Sequence, residues 1–247
     1  MRTIVCCFLL VFLAAEGPEP PIADARLPVS TLVREDVFAG WMDQDMERFA
    51  RAEKNLDQLI EERPRSKAES LAWKGGTKLY RAVLANEAGN QEEYDKYYQE
   101  ASELFAEAKQ LNANNAAVCA VVGGSLGLFG DRLHEEHRAD AFGQAWDNYS
   151  ILWTMQSRVL ERLPLHIKGE LLAGLTQSAE RTGRTEEYNK YLDKMIEVLP
   201  DSHYEEIALE WKADPEVAKT GTIMCQYCHD DGKLEERMAR LENLGKD

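Results

Sequence analysis

Positive charge is what this chain is short of. Its 29 Lys and Arg face 44 Asp and Glu, a formal net charge of −15. Such a surface repels phosphate backbones and anionic lipid heads, which excludes nucleic acid and anionic membranes as partners. Basic or dipolar protein surfaces stay open. Strand signals are also missing: no stretch alternates apolar and polar residues between turn residues, which excludes a substantial sheet. Proline (8) and glycine (16) are sparse and gather at a few places, so little interrupts helix. Beyond the N-terminal run, no segment has the apolar length to cross a bilayer. The Gly-rich run 121–130 lacks the Gly-Lys-Ser/Thr of a phosphate loop, and its small residues read as a close helix crossing. No carboxylate pair stands apart from the acidic helix faces, so acid/base catalysis has no positive support.

What is present begins with MRTIVCCFLLVFLAAEGPEPP. One Arg precedes an apolar run, then small residues, then an acidic, Pro-rich stretch. This is the layout of a secretory signal peptide over residues 1–17, cut between Ala14 and Gly17, and it predicts export to a periplasm or the extracellular space. A retained N-terminal anchor is the alternative. Removal of the signal leaves no transmembrane span and takes away Cys6 and Cys7. Cys119, Cys225 and Cys228 remain, too few for a disulfide framework. Cys119 sits in Ala-Ala-Val-Cys-Ala-Val-Val and reads as a buried small hydrophobe.

Residues 18–34 contain Pro18, Pro20 and Pro21 and read as an extended linker. From 35 to 212 the pattern is helical. Met46, Phe49, Ala52, Leu56 and Ile60 share one helix face, and Pro64 stops that helix with Ser66 placed to cap the next. Further helices are expected over 66–88, 91–111, 116–129, 134–163, 165–181, 185–198 and 203–212. The 116–129 helix is apolar nearly all round and therefore buried. The fold class is all-α, built of antiparallel helical hairpins. Trp73 and Tyr80 lie seven apart on one helix, with Ala101, Phe105 and Ala108 on the next. Leu175, Ala179, Gly183, Leu192 and Pro200 follow the same logic, and EERP, ERLP and EVLP recur at helix exits. Over residues 45–212 this resembles the tetratricopeptide repeat family, with longer and less regular repeats. The resemblance implies a helical solenoid that docks a protein partner.

The tail, 213–247, holds the chemistry. After a linker over 213–224 comes Cys225-Gln-Tyr-Cys228-His229; Gly232 then permits a turn, and Leu234, Met238 and Leu241 line one side of a short helix. Two thiols three apart with a His beside them suit four readings: a covalent haem anchor, a redox dithiol or disulfide, part of a zinc site, or coincidence. A redox dithiol belongs near a βαβ pattern, which is missing; zinc needs a fourth ligand, and there is no second Cys-X-X-Cys.

Cys225, Cys228 and His229 resemble the haem-attachment site of c-type cytochromes. The resemblance implies one covalent haem c, with Cys225 and Cys228 as thioether anchors and His229 as proximal iron ligand. Only eighteen residues follow His229, where small c-type cytochromes have several further helices around the haem. Met238 is a candidate distal ligand, with core packing of its helix as the alternative. His166, His203 or the His134/His137 pair could serve instead, as could a partner protein, or the position could stay open. His134-Glu-Glu-His137, with Asp140 near by, reads first as a polar helix start, and the aromatic stripe of Trp73, Tyr80, Trp146 and Trp153 as core. The function expected is an exported electron carrier or redox-linked assembly protein, docked to an exported partner or to its own copies. The alternative is a non-catalytic binding scaffold with a structural Cys pair. A haem enzyme with an open distal site has no feature that demands it.

Overall fold

Turn residues cut this chain into helices in the computed structural model, which describes residues 26–223 and 232–244. Among the described residues the secondary structure is helical, with no strand. The α-helices are α1 (Val29–Asp43), α2 (Met46–Glu62), α3 (Lys67–Glu87), α4 (Gln91–Asn112), α5 (Ala116–Phe129), α6 (Glu135–Gln156), α7 (Leu165–Arg181), α8 (Thr185–Val198), α9 (His203–Ala213), α10 (Pro215–Ala218) and α11 (Lys233–Leu244). Their ends follow local chemistry. Gly89 and Gly183 take positive φ just past α3 and α7, a left-handed turn that glycine adopts without strain. Side-chain oxygens of Asp45, Asn90, Asn115 and Ser202 accept the first free N–H groups of α2, α4, α5 and α9.

Several boundaries differ from expectation. Helix α1 starts at Val29, inside the stretch expected as linker. Pro28 sits at its N-cap, where proline is compatible with helix, and Val29, Leu32, Val33 and Val37 are all buried. Ser66 makes no side-chain cap; it ends a 3₁₀ turn, Pro64–Ser66, which leads straight into α3. The helix expected over 134–163 ends at Gln156 and continues as a 3₁₀ segment, Ser157–Arg162.

Hairpins α1/α2, α3/α4, α5/α6 and α7/α8 pack in sequence, and α9 packs on α8. Helices α1, α3, α5 and α7 also touch one another in order and form a continuous inner row. Buried side chains from α1 to α6 make one apolar cluster; those from α5 to Ile223 make a second, centred on α7 and α8. The linker expected over 213–224 contains the short α10, and the second cluster includes both Ala218 and Ile223. Cys119 is fully buried, as its apolar setting predicts, and burial pushes its thiol pKa up. Tyr80 and Trp73 are buried, and Trp146 and Trp153 pack on Tyr191.

Close helix crossings use missing side chains. A Cβ on Gly174 of α7 would stand 2.1 Å from the Tyr149 ring of α6, and one on Gly123 of α5 would stand 3.1 Å from it. Gly143, by contrast, has nothing within 4 Å of an added Cβ. The expected outcome is opposite for the same chemical change. Gly174→Ala should lose about 1–3 kcal/mol through overpacking. Gly143→Ala should be neutral or gain up to about 1 kcal/mol from helix propensity. Urea unfolding followed by circular dichroism measures both.

Candidate functional site

The inner row and α6 line a half-open cavity of about 360 Å³. Its floor on α5 is Ala116, Ala117, Ala120, Val121 and Gly124, all small, so α5 cannot fill the space between its neighbours. Phe38 and Trp41 of α1 and Trp73 of α3 form an aromatic wall. The two indoles stack at 6.3 Å, and Phe38 lies 5.0 Å from Trp41. Tyr149 and Leu152 of α6 face it with the start of α7, where His166, Ile167 and Glu170 complete the lining.

Polar groups around this cavity are few and unusual. The indole N–H groups of Trp41 and Trp73, the hydroxyl of Ser125 and Nε of Arg34 are buried without a hydrogen-bond partner. Buried donors are nearly always satisfied, so four around one cavity ask for an explanation. Two carboxylates also line the space. Glu69 accepts from the Ser30 amide at 3.1 Å, and burial raises its pKa against the pull of that bond and of Arg63. Glu170 accepts from the Tyr204 hydroxyl at 2.7 Å. Burial, then the charges of Arg34 and Lys233, lowers the pKa of His166, so the neutral imidazole is favoured.

The tail is fastened to the helices at two places. Upstream, α7 holds it through two residues one turn apart. Gln177, 1% exposed, donates to the Gly127 carbonyl at 3.0 Å, and its own oxygen accepts from the Ile223 amide at 3.0 Å and the Thr222 hydroxyl at 3.1 Å. Arg181 donates to the carbonyls of Ala218 (2.5 Å) and Gly221 (2.8 Å) and to Asp131 of the α5–α6 turn. Downstream, Glu35 of α1 accepts from the amides of Gly232 (3.1 Å) and Leu234 (2.8 Å), which satisfies the start of α11. Arg237 reaches Thr31. Glu35 follows the cavity-lining Arg34, whereas Gln177 stands about three turns further along α7 than His166.

Cys225, Cys228 and His229 lie outside the described residues, as do residues 1–25, which hold the expected signal. Met238 is described; it is partly buried and packs with Leu234 and Leu241 on the first apolar cluster. His134 and His137 stack on Tyr94 (3.7 Å) and Tyr98 (4.1 Å) rather than forming a freely exposed helix start. That contact with tyrosines of α4, and the 40-residue-distant bond from the His134 amide to the Tyr94 hydroxyl, are invisible to local spacing. His203 starts α9 with its Nδ1 3.5 Å from Glu206. Among the described residues no three of His, Cys, Asp and Glu gather as a metal-binding set. Spacing does not mark Gln177 or Arg34; the signal at Gln177 is a polar run, Thr176, Gln177 and Ser178, between Leu175 and Ala179 on a helix that is buried there.

Comparison with family models, with curated proteins and with solved structures finds no match to this chain, so the site is read from its own geometry.

Two outcomes follow from the carboxylates. The raised Glu69 pKa means that the folded state holds this proton more tightly than the unfolded chain. Its contribution to stability is fully present below the ordinary value of 4.5 and is lost as pH rises through the folded value. Glu69→Gln should therefore melt higher than the parent at neutral pH, with the gap closing as pH falls towards 4.5, in paired thermal melts across pH. Glu35→Ala removes the cap on α11. Amide exchange at residues 233–238 should speed up several-fold, for a loss of about 1 kcal/mol, while exchange in α7 stays unchanged.

Proposed function

We propose that this chain is an exported helical-repeat protein that carries one covalent haem c on Cys225 and Cys228, with His229 as proximal ligand. It serves one-electron transfer, or redox-linked assembly, with a docked protein partner. The observation that carries the reading is the Cys-X-X-Cys-His spacing, inside a segment whose described neighbours Ile223 and Gly232 are fastened to Gln177 of α7 and Glu35 of α1.

The cavity's character suits the group. A flat apolar ring with anionic side groups matches apolar walls, the stacked indoles of Trp41 and Trp73, and the cation of Arg34. Unpartnered donors at Trp41, Trp73 and Ser125 are available to acceptor atoms on such a group after small side-chain shifts. When bound, haem supplies a single electron at iron. Held in the cavity, the ring would lie among apolar walls beside Glu69, whose pKa burial raises, and His166, whose pKa burial lowers. The ordered hairpins and their continuous inner row support a tetratricopeptide-like scaffold that presents other faces to a partner. The net charge of −15 points to a partner with a basic docking face. Among the described residues no helix is long and apolar enough to cross a membrane. The apolar run over residues 3–15 supports export.

The test is a pyridine haemochrome spectrum of full-length protein from a host with haem-attachment machinery. A c-type band that survives acid-acetone extraction is expected, and a C225A/C228A variant should lose it. A colourless parent beside a correctly loaded control cytochrome sinks the haem reading. It would leave an exported helical scaffold whose Cys pair is structural.

A further inference from the structure

We propose that the half-open cavity is itself a binding site for a small planar aromatic acid, held without a covalent bond. Its ring lies along Phe38, Trp41 and Trp73, and its carboxylate accepts from Arg34 and an indole N–H. This goes beyond the haem reading and stands apart from it. The described residues that line the cavity run from Ser30 to Leu171, and none of them belongs to the tail.

Size and openness come first. A void of about 150 Å³ accepts one benzene ring, so about 360 Å³ has room for two fused rings. Mostly apolar openings of this size with a few polar groups are the usual form of small-ligand sites. Ala116 and Ala120 on the floor are exposed, although α5 is apolar nearly all round. A Cβ added at Gly124 has only the Tyr149 hydroxyl within 4 Å, at 3.6 Å, an ordinary contact. That corner can take further atoms.

The polar groups decide the class of ligand. Trp41, Trp73 and Ser125 are 7%, 6% and 2% exposed, and each carries a polar atom with no partner, as Arg34 does at Nε. Indoles and guanidinium are donors only, so what they lack is an acceptor. The atoms themselves are covered, and a small turn of each side chain brings them to a ligand. The lining acids are already accepting: Glu69 from the Ser30 amide at 3.1 Å, and Glu170 from the Tyr204 hydroxyl at 2.7 Å. An aromatic amine would be drawn to those two acids and would leave both indoles unpaired. A carboxylate answers the indoles, and with Arg34 it makes a charge-assisted bond, the stronger kind.

Calorimetric titration tests this on full-length C225A/C228A protein, where no tethered ring competes, and on parent made without haem-attachment machinery. The probes are 2-naphthoate and 2-naphthylmethylammonium, alike in ring and opposite in charge. One-to-one binding of 2-naphthoate is expected, about tenfold or more tighter than the amine. Arg34→Leu should remove most of that preference. Gly124→Leu should fill the cavity and abolish binding with the helical circular dichroism signal intact. Ala120→Phe blocks the same space from an exposed position, so it decides the matter if Gly124→Leu fails to fold. No saturation by 2-naphthoate up to about 1 mM overturns the proposal. So does tighter binding of the amine, or undiminished binding in a folded filling variant. The haem reading fails separately: a colourless parent that binds 2-naphthoate keeps this site and loses the haem. A parent that carries haem but binds no acid when made without it does the reverse.

Discussion

Arg181 is the residue on which the approach of the tail depends. Its side chain is only 7% exposed, and a buried guanidinium must find acceptors for its N–H groups or cost several kcal/mol. It finds Asp131, Glu180 and the carbonyls of Ala218 and Gly221. Burial alone would weaken its charge, yet the two carboxylates outweigh that and keep the guanidinium's pKa raised. The consequence is positional. The two carbonyls come from the segment after α9, so that segment is drawn against α7 to satisfy a charge already placed there. Gln177, a turn earlier, repeats the logic with a neutral side chain: its NH₂ is committed to α5 and its oxygen to the strap at Thr222 and Ile223.

The cavity has a comparable origin in size rather than charge. On α5 the face towards the inner row carries Ala, Val and Gly, while α1 and α3 carry Phe38, Trp41 and Trp73. Small residues opposite large ones normally interdigitate to native density. Here the alanines leave room that the indoles do not close, because Trp41 and Trp73 stack on each other and Trp41 also meets Phe129 at 5.1 Å. The unpartnered donors nearby cost about 1–3 kcal/mol each when buried unsatisfied. A fold that keeps both a void and orphaned donors in one place is less stable than a fully packed alternative, which is the usual mark of a site shaped for something other than stability.

Helix positions were legible because their punctuation is local: Gly89-Asn90, Thr-Gly183-Arg and Leu-Pro200-Asp each act on the residues beside them. The start of α1 was not, since three prolines upstream favour an extended reading and the helix is stabilised by burial of Val29, Leu32 and Val33 against distant residues. The Cys225–His229 motif is legible because all its members are adjacent. The cavity is not, because it joins Arg34, Trp73, Ser125 and His166, four residues on four helices. In sequence His166 is a polar residue two positions after Pro164, and Arg34 closes the stretch expected as linker; only the inner row makes them neighbours.

That same row would ordinarily be open at both ends. Stacked hairpins contact only their neighbours, and their cooperativity fades with distance along the stack. In this chain α11 returns to α1, and the bonds from Gly232 and Leu234 to Glu35 join residues 197 and 199 positions apart. Closing so long a loop costs entropy that grows only slowly with length, so a few well-made contacts suffice once the intervening hairpins are folded. The Arg181 and Gln177 clamp fastens the segment after α9 to α7 as far as Ile223, and Glu35 fastens the chain again at Gly232, so the interval between them is bounded at both ends. The first and last helices are thereby coupled. Any group held within that interval is stabilised by the folded state of both ends, and in turn stabilises both through its binding free energy.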